Sequence, residues 1–364
     1  MRFSVSTVKD TADNVDFFVR ANLASGIDHM FIVLDAPGQP GQDEVAEMLG
    51  AHRNVTCLRA GRSWWVTGRP SKLNVRQRIN ANWVRALLAP LEFAEWLFHI
   101  DGDEVVRLDD EALAEVPADA STVALRPLES VSEMAPAHPR PTRFKRLLDE
   151  EELNLLHVLG VIDEPTNQHF FHGHVLGKVG VRPSAPVALA LHNAIPTDSG
   201  AVGVHADERL ALLHYDAVSG AQFIRKWEAL ATAGTPRFRP SRMPAARALT
   251  HLVNSDLSPD VRHAYLQRIY ASTVADDVQA LSDLGLLVDV DPLASARTPT
   301  KFPQGGRKAL GARMREMRPV EKRDFYVSDP EVVVPLGQRM RQQARRVLRG
   351  NSAASPEVET EDLD

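Results

Sequence analysis

A buried-strand pattern in this chain ends directly in a group of carboxylates. The segment is WLFHIDGDEVV, residues 96–106, in which a mostly apolar run precedes Asp101, Gly102, Asp103 and Glu104. Such a run is typical of a strand in the interior of a parallel sheet. Three carboxylates at the end of that strand repel one another and lose hydration, so a positive partner must lie among them.

Asp101 and Asp103 have the spacing of a cation site. In an extended chain, residues two apart point to the same side, and Gly102 between them leaves room for a ligand or another backbone. Paired carboxylates suit Mg²⁺ or Mn²⁺, which share phosphate oxygens with a substrate. Asp and Gly also favour turns, so a plain polar turn is the competing interpretation. The strongly apolar strand before the pair favours the metal site.

The elements before this strand alternate between two periodicities. The strand-like segments RFSVSTV, HMFIVLD and NVTCLRA are each followed by a helix-like segment, the last of which leads into residues 96–106. Repeated β-α-β units predict an α/β fold with a Rossmann-type, mostly parallel sheet and helices on both faces. From about residue 218 helix patterns dominate and predict a helical C-terminal extension. Ligands bind at the carboxyl ends of such strands, where Asp35 and Asp101 both lie.

The composition limits the class of protein. The chain has 364 residues, 44% of them hydrophobic, which is enough for a real core. The net charge is −6 and the sequence pI about 6.1, so no general basic field favours nucleic-acid binding. The single cysteine, Cys57, excludes an internal disulfide. Since no stretch approaches the roughly 20 apolar residues of a spanning helix, we expect a soluble, cytoplasmic protein.

Several further segments occur in an informative order. They are VSTVKDTADNVDFFVRANLASGIDHMFIVLD, WLFHIDGDE, GKVGVRP, LALHNA and LLHYDAVSGAQFIRKW. The ordered set resembles the family 2-type glycosyltransferases of the GT-A fold, in the branch related to family 92, over roughly residues 3–228. The resemblance implies a GT-A glycosyltransferase domain over residues 1–228, and the helix patterns that follow predict a helical region over residues 229–335.

The resemblance also implies a nucleotide-diphosphate sugar donor and a divalent cation, Mn²⁺ or Mg²⁺. It implies that Asp35 contacts the nucleoside and that Asp101 and Asp103 hold the diphosphate through the cation. One or both of His192 and His214 would complete the metal or phosphate site, and a neutral imidazole is a reasonable additional ligand. A purely structural role is equally open for each histidine.

Basic and polar residues near the strand ends are candidate donor-binding groups. A departing nucleoside diphosphate develops negative charge, which requires cations or hydrogen-bond donors nearby. Lys178, in GKVGVRP, is the first choice, and Lys226, in FIRKW, is the next. A solvated surface charge is the competing interpretation for each such residue. The other candidates near the donor site are Lys9, Asp10, Arg76, Gln77 and Arg182.

An inverting transferase requires a carboxylate that takes the proton of the acceptor. Glu129 and Glu133 follow the strand pattern STVALRPL and are the nearest carboxylates by chain order. Asp163 and Glu164 are the alternatives, and the sequence does not decide among the four.

Adjacent tryptophans, Trp64 and Trp65, lie in the loop segment GRSWWVTGRPSK. Exposed aromatic faces stack on sugars and bases, and loops on α/β scaffolds carry specificity. Packing of the tryptophans into the core is the competing interpretation.

These observations together predict a metal-dependent, inverting glycosyltransferase that moves a sugar from a nucleotide-diphosphate donor to a hydroxyl of a glycan, a lipid-linked molecule or another acceptor. One alternative is a nucleotidyl- or phosphotransferase that uses the same cation site. The other is a non-catalytic nucleotide-sugar-binding protein, favoured by Asp10-Thr11 where the family has Asn-Glu. Residues 336–364 are predicted to form a basic helix and a disordered acidic tail. Packing against the protein or exposure to solvent is the favoured role of this helix, and weak peripheral membrane contact is the alternative.

Overall fold

The computed structural model of the chain describes residues 1–233, 243–294 and 297–328. Its strands are β1 Arg2–Val8, β2 His29–Leu34, β3 Val55–Arg59, β4 Trp96–His99, β5 Glu104–Arg107, β6 Thr122–Ser130, β7 Arg143–Lys145, β8 Lys178–Val181, β9 Val187–Leu189, β10 Ala194–Pro196, β11 Val204–His214 and β12 Leu287–Asp289. Its helices are α1 Ala12–Ala24, α2 Gln42–Ala51, α3 Leu73–Leu88, α4 Asp110–Ala114, α5 Glu150–Val158, α6 Asn167–Phe170, α7 Gly220–Ala233, α8 Met243–Val253, α9 Pro259–Thr273, α10 Val278–Asp283 and α11 Gly306–Met317, with a 3-10 helix at Lys322–Phe325.

Four parallel strands form one part of a ten-stranded mixed sheet, in the order β4-β1-β2-β3. All six residues of β2, HMFIVL, are buried, as expected for a strand covered on both faces. Helices α1, α2 and α3 follow β1, β2 and β3 along the chain, so the predicted β-α-β units are present.

The rest of the sheet extends beyond β4 and contains antiparallel pairs. β8 is antiparallel to both β4 and β6, while β6 is antiparallel to β7 and parallel to β11. β5 pairs with β11 and β12 with β7, and β9 and β10 form a separate two-stranded sheet. Because β8 runs opposite to β4, its first residue, Lys178, lies near the carboxyl end of β4.

Helices cover both faces of the parallel part. In β2, Met30, Ile32 and Leu34 belong to the core that contains residues of α1 and α2, whereas Phe31 and Val33 belong to the core that contains residues of α3 and α11. This alternation is that of a strand with helices on either side. The predicted fold class, α/β with a Rossmann-type sheet and helices on both faces, is therefore confirmed.

The chain after β11 forms the predicted helical extension. Helices α7, α8 and α9 pack around a core that includes Leu266 and Tyr270. The same region also supplies β12, a strand of three residues that the sequence pattern did not predict. Of the described residues, no helix has the length and apolar character needed to cross a membrane. The predicted basic helix and acidic tail at residues 336–364 lie outside the described residues.

Candidate functional site

The residues predicted to bind the donor lie where three parallel strands end. Asp35 follows β2, Asp101 lies just beyond β4, and Thr7 is near the end of β1. The first half of α3 faces this edge of the sheet and bonds to each strand end: Arg76 to Asp35, Gln77 to Asp101 and Asn80 to Thr7.

Asp35 is held by two arginines. Arg76 donates from Nε to Oδ1 at 2.7 Å and from Nη2 to Oδ2 at 2.8 Å, and both side chains are less than a tenth exposed. Arg69, which is 42% exposed, donates from Nη2 to Oδ2 at 2.8 Å. A carboxylate has about four acceptor positions, so among the described residues three are used and one at Oδ1 remains open to a ligand.

The D-G-D-E segment is a turn rather than the extended chain that was expected. Gly102 and Asp103 form the turn between β4 and β5, and Glu104 Oε2 accepts the Asp101 backbone N–H at 2.7 Å. Because of this turn, the two aspartates have different partners. Asp101 accepts bonds from Gln77 Nε2 and Lys178 Nζ, each at 2.7 Å, whereas Asp103 Oδ2 lies 3.8 Å from His214 Nε2.

Lys178 is the positive partner that the carboxylates require. Its side chain is 1% exposed, and its Nζ lies 2.7 Å from Asp101 Oδ2 and 3.8 Å from Glu104 Oε2. Burial alone would lower the pKa of Lys178, but the two carboxylates outweigh burial and hold that pKa above its ordinary value. We call Lys178, Asp101 and Glu104 the Lys178 cluster.

Three histidines surround this cluster. The ring of His174 stacks on that of His214, with centroids 5.0 Å apart, and meets that of His192 edge-on at 4.3 Å. His192 Nδ1 donates to the Gly177 carbonyl at 3.0 Å, and burial, followed by the Lys178 charge, lowers the pKa of His192 to about 4. His214 is nearly buried, yet neighbouring carboxylates led by Asp103 outweigh burial and raise its pKa.

Among the residues that the structure describes, two overlapping sets of side chains could hold a metal ion, and within each set the ligand atoms lie within 4.8 Å of one another. The outer group is Asp103, His214 and Asp216, and Asp103 in it is 43% exposed. The inner group is Glu104, His174 and His214 and is largely buried. The two carboxylates and imidazole of the outer group fit Mn²⁺ or Mg²⁺. Neither group includes Asp101 or His192, whose roles as metal ligands stay predictions.

Glu129, the first predicted base, is buried in a second ionic cluster. Its Oε1 lies 3.0 Å from Lys145 Nζ and accepts the His172 N–H at 2.6 Å, and its Oε2 accepts the Gly173 N–H. Lys145 also donates to Asp276 Oδ1 at 3.1 Å. We call Lys145, Glu129 and Asp276 the Lys145 cluster. Burial would raise the pKa of Glu129, but the Lys145 charge outweighs burial and lowers that pKa. Glu129 is therefore a poor proton acceptor.

The other predicted bases are more accessible. Glu133 is partly exposed, and its backbone is fixed by a bridge to Ser219 and by the Tyr270 hydroxyl, which donates to the Glu133 carbonyl at 3.0 Å. Asp163 and Glu164 are exposed in the loop between α5 and α6.

A cleft of about 840 Å³ opens beside Asp35. It is lined by residues 35–39, 60–62 and 65–69. Both tryptophans of the loop are buried, and Trp64 packs edge-on against Trp83 while its indole N–H donates to Asn80 at 3.1 Å. The core interpretation therefore holds for Trp64, whereas Trp65 also lines the cleft.

The remaining donor-binding candidates lie at varied positions. Lys9 is exposed, and Asp10 Oδ1 accepts bonds from the Thr11 N–H and from Asn14 at the start of α1. Arg182 stacks over Trp96, four residues beyond Lys178. Lys226 pairs with Asp216.

The sequence interpretation missed several residues of the site. They are Glu104 as a potential ligand, His174, Asp216, Lys145 and Asp276. One pattern could have indicated part of this set, because His172-Gly173-His174 alternates two imidazoles about a glycine shortly before Lys178. A Cβ on Gly173 would lie only 2.5 Å from His214 Nδ1 and 2.6 Å from Glu129 Oε2, so this close approach requires glycine.

No protein-family model matches the sequence, and no curated protein matches it. Solved structures that are similar to the chain include HddC from Yersinia pseudotuberculosis, at 9% identity and a TM-score of 0.31, covering 58% of this chain and 92% of that one. The inositol-1-phosphate CTP transferase from T. maritima is similar at 10% identity and a TM-score of 0.27, covering 76% and 98%. The apo structure of the WbbM bifunctional glycosyltransferase is similar at 14% identity and a TM-score of 0.23, covering 50% of this chain and 31% of that one. At such low scores, the chemistry of this chain must be argued from its own residues.

Proposed function

We propose that this chain is a metal-dependent glycosyltransferase that moves a sugar from a nucleotide-diphosphate donor to a hydroxyl acceptor. The observation that carries the proposal is the convergence, at one edge of the sheet, of the Lys178 cluster and the outer group with the end of β2, whose Asp35 lines the cleft. In α/β sheets this edge is where ligands bind.

The cleft beside Asp35 is the proposed nucleoside site. Its volume, about 840 Å³, is in the range of small-molecule sites. The open acceptor position at Asp35 Oδ1 fits a ribose hydroxyl, and the two arginines that hold Asp35 fix its orientation. Arg62 and Arg69 in the lining add positive charge for the diphosphate.

The outer group is the proposed cation site. A divalent cation bound there would neutralise charge on the diphosphate of the donor. Within the chain, Gln77 and Lys178 hold Asp101 in place, while His214 lies between Asp103 and the buried Glu104. The base that takes the proton of the acceptor hydroxyl is Glu133 in this proposal. Glu129 is a poorer choice because its carboxylate already bonds to Lys145 and to two backbone N–H groups.

Asp103→Asn tests the proposal. The full chain is incubated with a panel of nucleotide sugars and Mn²⁺, and the released nucleotide is identified by chromatography. We expect release of a nucleoside diphosphate, at least about 100-fold less of it with Asp103→Asn because a metal ligand is lost, and no change with the exposed control Asp119→Asn. Release of pyrophosphate would support the nucleotidyltransferase alternative instead. Binding without any released product would support the non-catalytic alternative.

A further inference from the structure

Glu104 is a buried carboxylate with an unused acceptor atom. Its side chain is 0% exposed, and Oε2 accepts the Asp101 N–H at 2.7 Å. Among the described residues, Oε1 has no hydrogen-bond partner. Buried polar atoms are almost always satisfied, so an orphan in a folded protein requires an explanation such as an ion.

Glu104 shares its lysine with a second carboxylate. Lys178 faces both Asp101 and Glu104, so one lysine is shared between two carboxylates. His174 Nε2 lies 3.5 Å from Glu104 Oε1. The Nδ1 atoms of His174 and His214 have no hydrogen-bond partner among the described residues either.

The surrounding backbone holds His174 in this position. Glu129 accepts the N–H groups of His172 and Gly173, which fixes the segment that leads to His174. Gly173 lets this segment lie directly against His214, where a Cβ would not fit. The stacked imidazoles are therefore set by the fold rather than by a mobile loop rotamer.

We propose that Glu104, His174 and His214, the inner group, bind a divalent transition-metal ion of the Mn²⁺, Co²⁺ or Zn²⁺ class, and that they do so without a nucleotide. Two imidazoles and one carboxylate form a borderline-soft ligand set that favours these ions over Mg²⁺. Mg²⁺ dehydrates reluctantly and prefers oxygen ligands, so it suits this buried site poorly. The bound ion would also add positive charge beside Glu104, which shares Lys178 with Asp101. The proposal does not depend on sugar transfer, although it shares His214 with the outer group.

The test measures binding of the metal alone. The full chain, stripped of metal with a chelator, is titrated with Co²⁺, Mn²⁺ or Mg²⁺ by calorimetry, and Co²⁺ binding is also followed by its visible absorption bands. Since Mg²⁺ is usually held by one or two carboxylates together with substrate phosphates, the outer group should take its cation only with the donor present. Without nucleotide, we therefore expect one transition-metal ion to bind per chain and Mg²⁺ to give no heat at the same concentrations. His174→Ala and His174→Gln should each weaken Co²⁺ binding at least about tenfold, whereas His157→Ala, on α5, should not.

Each result decides for or against the inner group. Wild-type protein that binds no transition-metal ion, or His174 variants that melt like the wild type and bind Co²⁺ equally well, would overturn the proposal. Asp103→Asn should keep Co²⁺ binding, because Asp103 belongs only to the outer group; loss equal to that of His174→Ala would place the ion in the outer group and overturn the inner one. A chain that binds Co²⁺ but releases no nucleotide would leave this inference standing and remove the proposed function.

Discussion

Two buried lysines each contact a pair of carboxylates, but the hydrogen bonding of those carboxylates differs between the two clusters. Lys145 contacts Glu129 and Asp276, and Lys178 contacts Asp101 and Glu104. The two lysine side chains are 0% and 1% exposed, and each faces a pair of carboxylates. By composition alone the two clusters look alike.

Their hydrogen bonds separate them. In the Lys145 cluster, all four carboxylate oxygens have partners: Lys145, His172 and three backbone N–H groups, from His172, Gly173 and Ser132. In the Lys178 cluster, Glu104 Oε1 has none among the described residues. A fully satisfied network rigidifies a fold, whereas an unsatisfied buried carboxylate oxygen requires an explanation, of which a bound ion is one. We therefore assign a structural role to the Lys145 cluster and propose a binding role for the Lys178 cluster.

Removing the lysine of the Lys145 cluster should have the largest effect on stability. Lys145→Met leaves the carboxylates of Glu129 and Asp276 buried without their counter-charge, and the loss of one partner from such a pair costs about 3–5 kcal/mol. We expect this decrease in the free energy of unfolding, measured by denaturant titration with circular dichroism.

The matched control is Arg126→Ala. Arg126 pairs with Glu208 on the surface, where the two side chains are 45% and 86% exposed, and exposed pairs contribute about 0–1 kcal/mol. Equal losses for the two variants would contradict the structural role of the Lys145 cluster.

The sequence predicts where chemistry lies more readily than which atoms meet. Strand-ending aspartates and β-α-β order place Asp35 and Asp101 at one edge of the sheet, and the structure confirms that location. The partners come from far along the chain: Lys178 is 77 residues from Asp101, and Lys145 is 131 residues from Asp276. Such pairings depend on the order of strands in the sheet, which no local periodicity contains.

The turn at Gly102 shows the same limit at short range. The i, i+2 rule assumes an extended chain, but β4 ends at His99, and the bond from the Asp101 N–H to Glu104 closes a turn. The presence of carboxylates at Asp101 and Asp103 was therefore predictable as a site feature, whereas the directions in which the two side chains point were not. Similarly, β12 has only three residues and pairs with the distant strand β7, so its own sequence is too short to show a strand pattern.

Acid should reduce the contribution of the Lys145 cluster to stability, by less than the loss of Lys145 does. Burial would raise the pKa of Asp276, but Lys145, with help from His172, outweighs it and lowers that pKa to about 2 from an ordinary 3.8. Because the folded-state pKa is depressed, the contribution is fully present above pH 4 and is lost as the pH falls from about 4 to 2. At 1.36 kcal/mol per pKa unit, the loss is about 2 kcal/mol.

Asp276→Asn isolates this contribution from the other carboxylates that titrate in the same range. We expect the stability difference between the wild type and Asp276→Asn, measured by denaturant titration at pH 5, 4, 3 and 2, to shrink toward acid pH. A difference that stays constant from pH 5 to pH 2 would mean that the ionisation of Asp276 does not support the fold.

The smallest effect on stability is expected at the rim of the cleft. A residue there should matter for ligand binding and hardly at all for the stability of the fold. Arg69 and Arg76 both hold Asp35, but Arg76 is 7% exposed and bonds in two places, whereas Arg69 is 42% exposed. Arg69→Ala should therefore lower the free energy of unfolding by less than about 1 kcal/mol. If the cleft binds the nucleoside diphosphate, the same change should weaken calorimetric binding of that ligand by roughly 10- to 150-fold, since a charge-assisted bond contributes about 1.5–3 kcal/mol. Unchanged affinity in a stably folded Arg69→Ala protein would exclude this cleft as the donor site, while a stability loss as large as that of Lys145→Met would place Arg69 among the residues that hold the fold.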